Sequence, residues 1–175
     1  WNSVSIYELE VYGEIDANYQ DPQENVALNK TGTASSTETA DFTAAKALDG
    51  DTSSRSSRWS SAEADGPHWI YVDLGKEMDV QTVRLYWETR KASNYTISTA
   101  GGEHTAEELA GEDVWTQQYS NTSHPADLKE TISLDAPVKA RYVRLKINTF
   151  TPEDPDGGVT WNTISIYEME VYGGI

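Results

Sequence analysis

Residues 68–75 read HWIYVDLG, a stretch in which the apolar residues Ile70, Val72 and Leu74 alternate with other side chains. Successive side chains of a β-strand point to opposite faces, so this spacing predicts a strand with one buried face. The same period recurs along the chain at Val83, Leu85 and Trp87, at Val143, Leu145 and Ile147, and at Ile164 and Ile166. Clusters of Gly, Pro, Ser, Asn and Asp separate these segments, and helical periodicity is scarce. The sequence therefore predicts an all-β protein, an antiparallel sandwich or barrel.

The beginning of the chain is repeated near its end. Residues 1–13 read WNSVSIYELEVYG and residues 161–173 read WNTISIYEMEVYG, so ten of the thirteen positions are identical. An offset of 160 residues matches a whole domain rather than a short solenoid repeat. We therefore expect residues 1–13 to be the terminal strand of a preceding, similar module, 14–24 a linker, and 25–175 the module itself. The alternative is one domain that uses two similar strands as a symmetric pair.

Composition excludes several classes of function. The chain has 175 residues, which suits one domain, and 29 acidic against 13 basic residues give a net charge of −16. Such a charge disfavours nucleic acid and anionic membrane surfaces as partners. Cysteine is absent, so a disulfide framework, a thiolate metal site and a cysteine nucleophile are excluded. No stretch approaches the ~20 apolar residues of a membrane span, so no membrane insertion is expected.

The last predicted strand changes its apolar parity. Ile164 and Ile166 share one face, whereas Met169 and Val171 fall on the opposite face. A β-bulge near Tyr167 and Glu168 would bring both pairs to the same side. Because bulges re-aim side chains, Glu168 becomes a candidate for more than surface charge.

A second candidate region is the turn within residues 45–59, AKALDGDTSSRSSRW, which concentrates carboxylates and hydroxyls around Asp49, Gly50 and Asp51. Calcium ions take about six to eight oxygen ligands from flexible loops, including carbonyls and carboxylates. The spacing is not that of an EF-hand. From the residues alone, both an ordinary Asp-Gly turn and a cation-binding loop remain open.

Five motifs, taken in order, carry a resemblance to a known family. They are ALDGD at 47–51, RW at 58–59, HWIYVDLG at 68–75, RYVRLKI at 141–147 and SIYEMEVYG at 165–173. Together they resemble the discoidin or coagulation factor V/VIII type C domain, with carbohydrate-binding module family 32 as the nearest branch. The resemblance covers about 25–173. It implies an eight-stranded antiparallel jelly-roll sandwich of the galactose-binding-domain-like class, with functional loops at one end.

The resemblance also implies a structural Ca²⁺ site that ties the 45–59 turn to the last strand. Ser54 competes with Ser57 for the hydroxyl position, because the turn is longer than in the family. The implied ligands are the carbonyl of Lys46, the carboxylate of Asp49, a main-chain oxygen of Asp51, the carbonyl and hydroxyl of Ser57, the carbonyl of Tyr167 and the carboxylate of Glu168.

Sugar recognition in such domains combines a stacking aromatic ring with amide, carboxylate and guanidinium groups. Trp161 occupies the loop where the family often places its stacking ring, and it is expected either to stack on a sugar or to plug the end of the sandwich. Asn162 beside it is a candidate hydroxyl ligand. The short loop after Trp87 offers Arg90 and Asn94, although a plain charged turn remains the alternative.

Two further positions bear on which sugar is bound. Ser60 stands where galactose-binding relatives commonly carry a histidine, so recognition of terminal galactose in the usual way is in doubt. Glu88 is a candidate for bonding equatorial hydroxyls, an N-acetyl amide or an amino sugar.

The resemblance implies a non-catalytic carbohydrate-binding module of a multimodular bacterial glycoside hydrolase, extracellular or on the cell surface. Its expected partners are glycans with terminal galactose, N-acetylhexosamine or related sugars, and the catalytic and neighbouring modules of its own chain. No distinctive carboxylate pair, Ser-His-Asp context or zinc signature favours an enzyme. The alternative is a discoidin-like adhesion, protein-interaction or spacer module that binds no sugar.

Overall fold

The computed structural model describes residues 24–89, 91–123, 125–150 and 161–174. The predicted strand at 1–13 and all of the predicted linker except Glu24 lie outside these residues. The described elements are β1 (Glu24–Asn25), β2 (Thr31–Ala34), a 3-10 helix (Ala44–Ala47), β3 (Trp59–Ser60), β4 (His68–Trp87), β5 (Ala92–Ala100), α1 (Ala106–Ala110), β6 (Thr116–Asn121), β7 (Lys129–Phe150) and β8 (Ser165–Gly174). Neither helix is long and apolar enough to cross a bilayer, as far as the described residues go.

All strand pairs in the described residues are antiparallel. The strand order is β1-β8-β4-β7-β5-β6, with β2 added to β4 and β3 added to β8. The predicted all-β, eight-stranded antiparallel class is confirmed. Hydrogen bonds connect the described strands into one continuous sheet. β4 and β7 make this possible because each is long enough for its different parts to pair in different regions of the sheet.

A change of register lets the two halves of β4 share one core. Ile70, Val72 and Leu74 point inward from the first half, and Val83 and Leu85 from the second. These two sets have opposite parity, so an uninterrupted strand would turn one of them towards solvent. The register shifts between Val80 and Thr82 against both neighbouring strands restore the inward direction.

A smaller apolar cluster lies outside this main core. Tyr71, Leu109 and Tyr142 are buried in it, and Trp69 and Trp115 pack against it while remaining partly exposed. Leu109 belongs to α1, whose first turn is closed by a capping box between Thr105 and Glu108. The long segment between β5 and β6 is therefore ordered by packing, and Trp115 covers this second cluster.

The predicted bulge in the last strand is confirmed. Tyr86 pairs with Glu168, whereas the next residue, Trp87, pairs with Ile166, so Tyr167 is the extra residue. Ile164, Ile166, Met169 and Val171 all end up in the main core. Glu168 is also fully buried, whereas a glutamate on an ordinary strand edge would be solvated.

One carboxylate bridges two buried aromatic side chains. The indole nitrogen of Trp87 donates to Oε2 of Glu130 over 2.6 Å, and the hydroxyl of Tyr95 donates to Oε1 over 2.9 Å. Burial and the negative charge of Glu130 raise the pKa of Tyr95. Glu130 therefore satisfies two donors that water does not reach.

Replacing Glu130 by leucine is expected to lower the free energy of unfolding by about 3 kcal/mol, because two buried donors lose their acceptor. Urea unfolding followed by tryptophan fluorescence measures the loss. Glu130→Gln keeps one acceptor oxygen and should lose clearly less. Equal stability of Glu130→Leu and the parent chain would contradict the bridging role.

Candidate functional site

Loops from three parts of the chain meet around the start of β8. The main-chain nitrogen of Ala64 donates to the carbonyl of Asn162 over 3.2 Å, and Nδ2 of Asn162 donates to Oδ1 of Asp65 over 2.7 Å. The nitrogen of Ser61 donates to the carbonyl of Ile164 over 3.0 Å. These bonds fix residues 161–164 against the loop at 61–67.

Trp161 is the large apolar side chain presented at this end. It is 49% exposed, whereas a ring that plugged the end of the sandwich would be buried. Its neighbour Asn162 is committed through its amide nitrogen to Asp65, which leaves the amide oxygen as the acceptor available to a ligand. An exposed indole on a fixed backbone is suited to stacking against a flat apolar face.

Carboxylates surround the start of β8. Glu63 and Asp65 are exposed on the 61–67 loop. The main-chain nitrogen of Glu88 donates to the carbonyl of Ser165 over 3.3 Å, which places Glu88 beside the strand that follows Trp161. Glu38 is held through its nitrogen to the carbonyl of Ser60, and Arg58 lies 3.9 Å from its carboxylate. This loop end is therefore acidic as well as aromatic.

Sequence reasoning singled out Glu88 in this group and missed Glu38, Glu63 and Asp65. Each of the three lies in a polar loop with no periodicity or motif to distinguish it. Asp65 is tied to this end by its bond to Asn162 and Glu38 by its bond to Ser60, and both bonds depend on the fold.

The other predicted sugar-binding residues are placed differently. Ser60 is fully buried, and its hydroxyl lies 2.9 Å from the hydroxyl of Ser165, so it joins two strands and does not reach the surface. Asn94 lies on β5 and accepts from Nδ2 of Asn148 on β7 over 2.9 Å. Arg90 lies outside the described residues.

The structure brings together several of the predicted calcium ligands. The hydroxyl of Ser57 donates to Oδ2 of Asp49, and the nitrogen of Gly50 donates to Oε1 of Glu168 over 3.1 Å. Gly50 has φ of 86°, a left-handed conformation that glycine adopts readily. This turn places Asp49, Ser57 and Glu168 side by side, although the last comes from the opposite end of the chain.

The remaining predicted ligands, Lys46, Asp51 and Tyr167, were expected to contribute main-chain oxygens. Oδ1 of Asp51 accepts from the nitrogens of Ser53 and Ser54, so its carboxylate is engaged in its own loop and its carbonyl is left. Lys46 lies in the 3-10 helix and Tyr167 is the bulged residue. The hydroxyl of Ser54, the competing candidate, contacts that of Ser56 at 2.8 Å. Ser57 is therefore the serine that faces Asp49.

Glu168 is the fully buried carboxylate of this group. Its Oε2 is buried and has no hydrogen-bond partner among the described residues. Burial raises the pKa of the Glu168 carboxyl to about 8, and the negative charge of Asp49 adds to the rise, while the bond from Gly50 opposes it. In the described part of the chain no three acidic or histidine side chains converge. The donor set fits a cation that accepts main-chain oxygens, as Ca²⁺ does.

Comparison with protein families identifies the domain. The model of the F5/8 type C domain matches residues 31–168. The chain belongs to the F5/8 type C family. The resemblance inferred from the five motifs is thereby confirmed, and its match spans every described element from β2 to the bulge of β8.

Solved structures similar to this F5/8 type C domain include sugar-binding modules. Chitosan-binding module 1 of a chitosanase/glucanase from Paenibacillus sp. IK-5 is 39% identical, with a TM-score of 0.70, and the match covers 86% of this chain and 99% of that one. Chitosan-binding module 2 of the same enzyme, solved with chitotriose, is 32% identical, with a TM-score of 0.69 and coverage of 85% and 100%.

A more distant structure is the family 32 carbohydrate-binding module of NanJ from C. perfringens, solved with galactose. It is 21% identical, with a TM-score of 0.63, and the match covers 86% of this chain and 97% of that module. At this identity the likeness establishes the shared fold alone. No curated protein matches the chain.

Proposed function

We propose that this F5/8 type C domain is a carbohydrate-binding module for amino-sugar oligosaccharides of the chitosan class. The observation that carries the proposal is the exposed indole of Trp161 on a loop end lined by carboxylates. The two chitosan-binding modules, at 39% and 32% identity over nearly their whole length, support it. The proposal narrows the range of sugars expected from the sequence, which comprised galactose, N-acetylhexosamine and related sugars.

The chemistry of the loop end suits a glucosamine unit. The indole of Trp161 offers a flat face to the C–H face of the sugar ring. A protonated amino group bonds more strongly to a carboxylate than to a neutral acceptor. Among the described residues, Asp65 is bonded to Asn162 and Glu88 to Ser165, and Glu63 is exposed on the same loop as Asp65. The amide oxygen of Asn162 is an acceptor for a sugar hydroxyl.

We further propose that Asp49, Ser57 and Glu168, with main-chain oxygens of Lys46, Asp51 and Tyr167, hold a structural Ca²⁺ ion. When bound, the ion supplies a positive charge beside the half-buried carboxylate of Asp49 and the buried carboxylate of Glu168. The residues then fasten the 45–59 turn to β8. Because Trp161 lies shortly before β8, this link would also stabilise the backbone of the proposed sugar site.

In this proposal the domain binds and does not catalyse, and it serves a multimodular, extracellular or surface-attached bacterial glycoside hydrolase. The Trp161 end is a shallow surface, so a dissociation constant of ~0.1 to 1 mM is natural for one or two stacked sugars. Linked copies would then strengthen retention on a polysaccharide without new contacts.

Isothermal titration of the full chain with chitotriose tests the function. Tri-N-acetylchitotriose, which lacks the amine charges, and galactose serve as comparison ligands. Binding of chitotriose at least several-fold tighter than the other two supports the proposal. Equal binding of chitotriose and its acetylated form would overturn the amino-sugar specificity. Failure to bind any of the three, or a chitosan column, would favour the spacer or protein-interaction alternative.

Glu88→Gln is expected to weaken chitotriose binding about fivefold, because a charged partner of the amine becomes a neutral acceptor. The measurement is the same titration, and binding of the acetylated trimer should change little. Glu107→Gln is the matched control, since Glu107 is exposed on α1. An equal effect of the two substitutions would point to overall charge rather than a contact at Glu88.

A further inference from the structure

A second polar groove lies on the sheet face turned away from the main core. On β7, Val143, Leu145 and Ile147 are buried in that core, so the alternate residues Arg144 and Lys146 point to the opposite face. The groove of about 300 Å³ that they line lies between this face and the segment carrying Trp115. None of its lining residues belongs to the loop end around Trp161.

Strand register assembles the floor of the groove. Arg144 pairs with Ser98 on β5, which pairs in turn with Gln117 on β6. Lys146 pairs with Thr96. Directly paired residues project to the same face, so cations, hydroxyls and an amide lie in adjacent rows.

The groove is locally cationic in a strongly acidic protein. Arg144 and Lys146 both contact the carboxylate of Glu112: Nη2 of Arg144 lies 2.8 Å from Oε2, and Nζ of Lys146 lies 2.8 Å from Oε1. Burial of Glu112 opposes its ionisation, but the bonds from Lys146 and Arg144 outweigh it and hold its pKa below the usual value. One anion thus faces two cations.

The two sides of this ion cluster differ in how firmly they are held. Arg144 is 2% exposed, rises from the middle of β7, donates to the carbonyl of Gly111 and stacks over the Trp115 ring at 4.5 Å. The side chain of Glu112 is 59% exposed and extends from a turn. Glu112 is therefore the displaceable partner. The Nε of Arg144 is buried and has no hydrogen-bond partner among the described residues.

We propose that this groove binds an acidic sugar, a uronic acid unit, whose carboxylate takes the place of Glu112 between Arg144 and Lys146. Thr96, Ser98 and Gln117 then meet the ring hydroxyls, and Trp115 forms one wall. The space is larger than a lone carboxylate or sulfate fills, and it lies at the small end of the range for pockets that hold small molecules. The inference does not rest on the amino-sugar site.

NMR titration of the ¹⁵N-labelled full chain with sodium glucuronate tests this site, with glucose and sodium acetate as the neutral-sugar and free-anion controls. Glucuronate should shift the amide signals of Thr96, Ser98 and Gln117, and each control should do so much more weakly. Trp161→Ala should leave these shifts unchanged, which separates this site from the loop end. Absence of the shifts would overturn the proposal, as would equal affinity for acetate or for glucose.

Two substitutions test the displacement without removing the buried arginine. Glu112→Gln removes the competing anion and should tighten glucuronate binding about fivefold, whereas Lys146→Gln should weaken it about fivefold. Lys139→Gln, at an exposed lysine on the same strand that pairs with Asp79, is the charge-matched control and should have little effect. If Glu112→Gln leaves the affinity unchanged or lowers it, the displacement is wrong.

Discussion

Replacing Trp161 by alanine is expected to abolish measurable binding of chitotriose. The ring offers the flat apolar surface of the loop end, and the loss of one such central contact typically costs about 2 to 3 kcal/mol, on the order of a hundredfold in affinity. Starting from a weak site, that loss places binding beyond the range of isothermal titration. Because the ring is about half exposed, the midpoint of thermal unfolding should hardly change.

Two companion variants decide whether the ring itself is responsible. Trp161→Phe retains an aromatic face and should retain part of the affinity. Leu28→Ala shortens another exposed apolar side chain, 44% exposed, which lines a groove with Leu74 and Met78, and should leave binding intact. Undiminished binding by Trp161→Ala would move the sugar site away from the loop end.

Calcium is expected to stabilise the folded chain. A ligand bound only to the folded state stabilises by about 2.7 kcal/mol at a hundred times its dissociation constant, which for a chain of this size raises the unfolding midpoint by about 5 to 10 °C. Differential scanning fluorimetry of the full chain in EDTA and then in excess CaCl₂ measures the shift. Excess MgCl₂ should give a smaller shift, since Mg²⁺ demands stricter geometry.

Glu168→Gln separates a metal ligand from a merely structural residue. In EDTA the variant should be at least as stable as the parent chain, because a buried carboxyl with an unpartnered oxygen becomes a neutral amide. In CaCl₂ the parent should gain stability and the variant should not. A calcium shift of the same size in both proteins would remove Glu168 from the site.

The sequence predicted the fold well because the strands obey a simple period. Residues such as Val72 and Leu145 alternate with polar neighbours, and the structure buries them as that alternation requires. Even the irregular point in β8 was predictable, since apolar parity must change wherever a strand gains a residue, and it changes at Tyr167. Periodicity reports local geometry, and these features are local.

The candidate sites were only partly predictable because they depend on contacts between distant segments. Trp161 and Glu88 were singled out from motif positions, but the meeting of Asp65 with Asn162 joins residues 97 positions apart. Ser60 was predicted to lie at the sugar site, yet its hydroxyl is bonded to that of Ser165 inside the fold. The groove at Arg144 could not be predicted from the sequence, because the alternation of Arg144 with Val143 and Leu145 is that of any half-exposed strand.

The position of β8 has a consequence for biosynthesis. It is the last described strand of the chain, yet it lies inside the sheet between β1 and β4 and also pairs with β3. A ribosome delivers it after every other described strand, so the emerging polypeptide keeps an open apolar seam until Ile166 and Val171 arrive. Trp161 and Glu168 emerge in the same short stretch. We therefore expect the nascent module to close its core and to acquire both proposed binding activities in one late step, and to depend on chaperones until then.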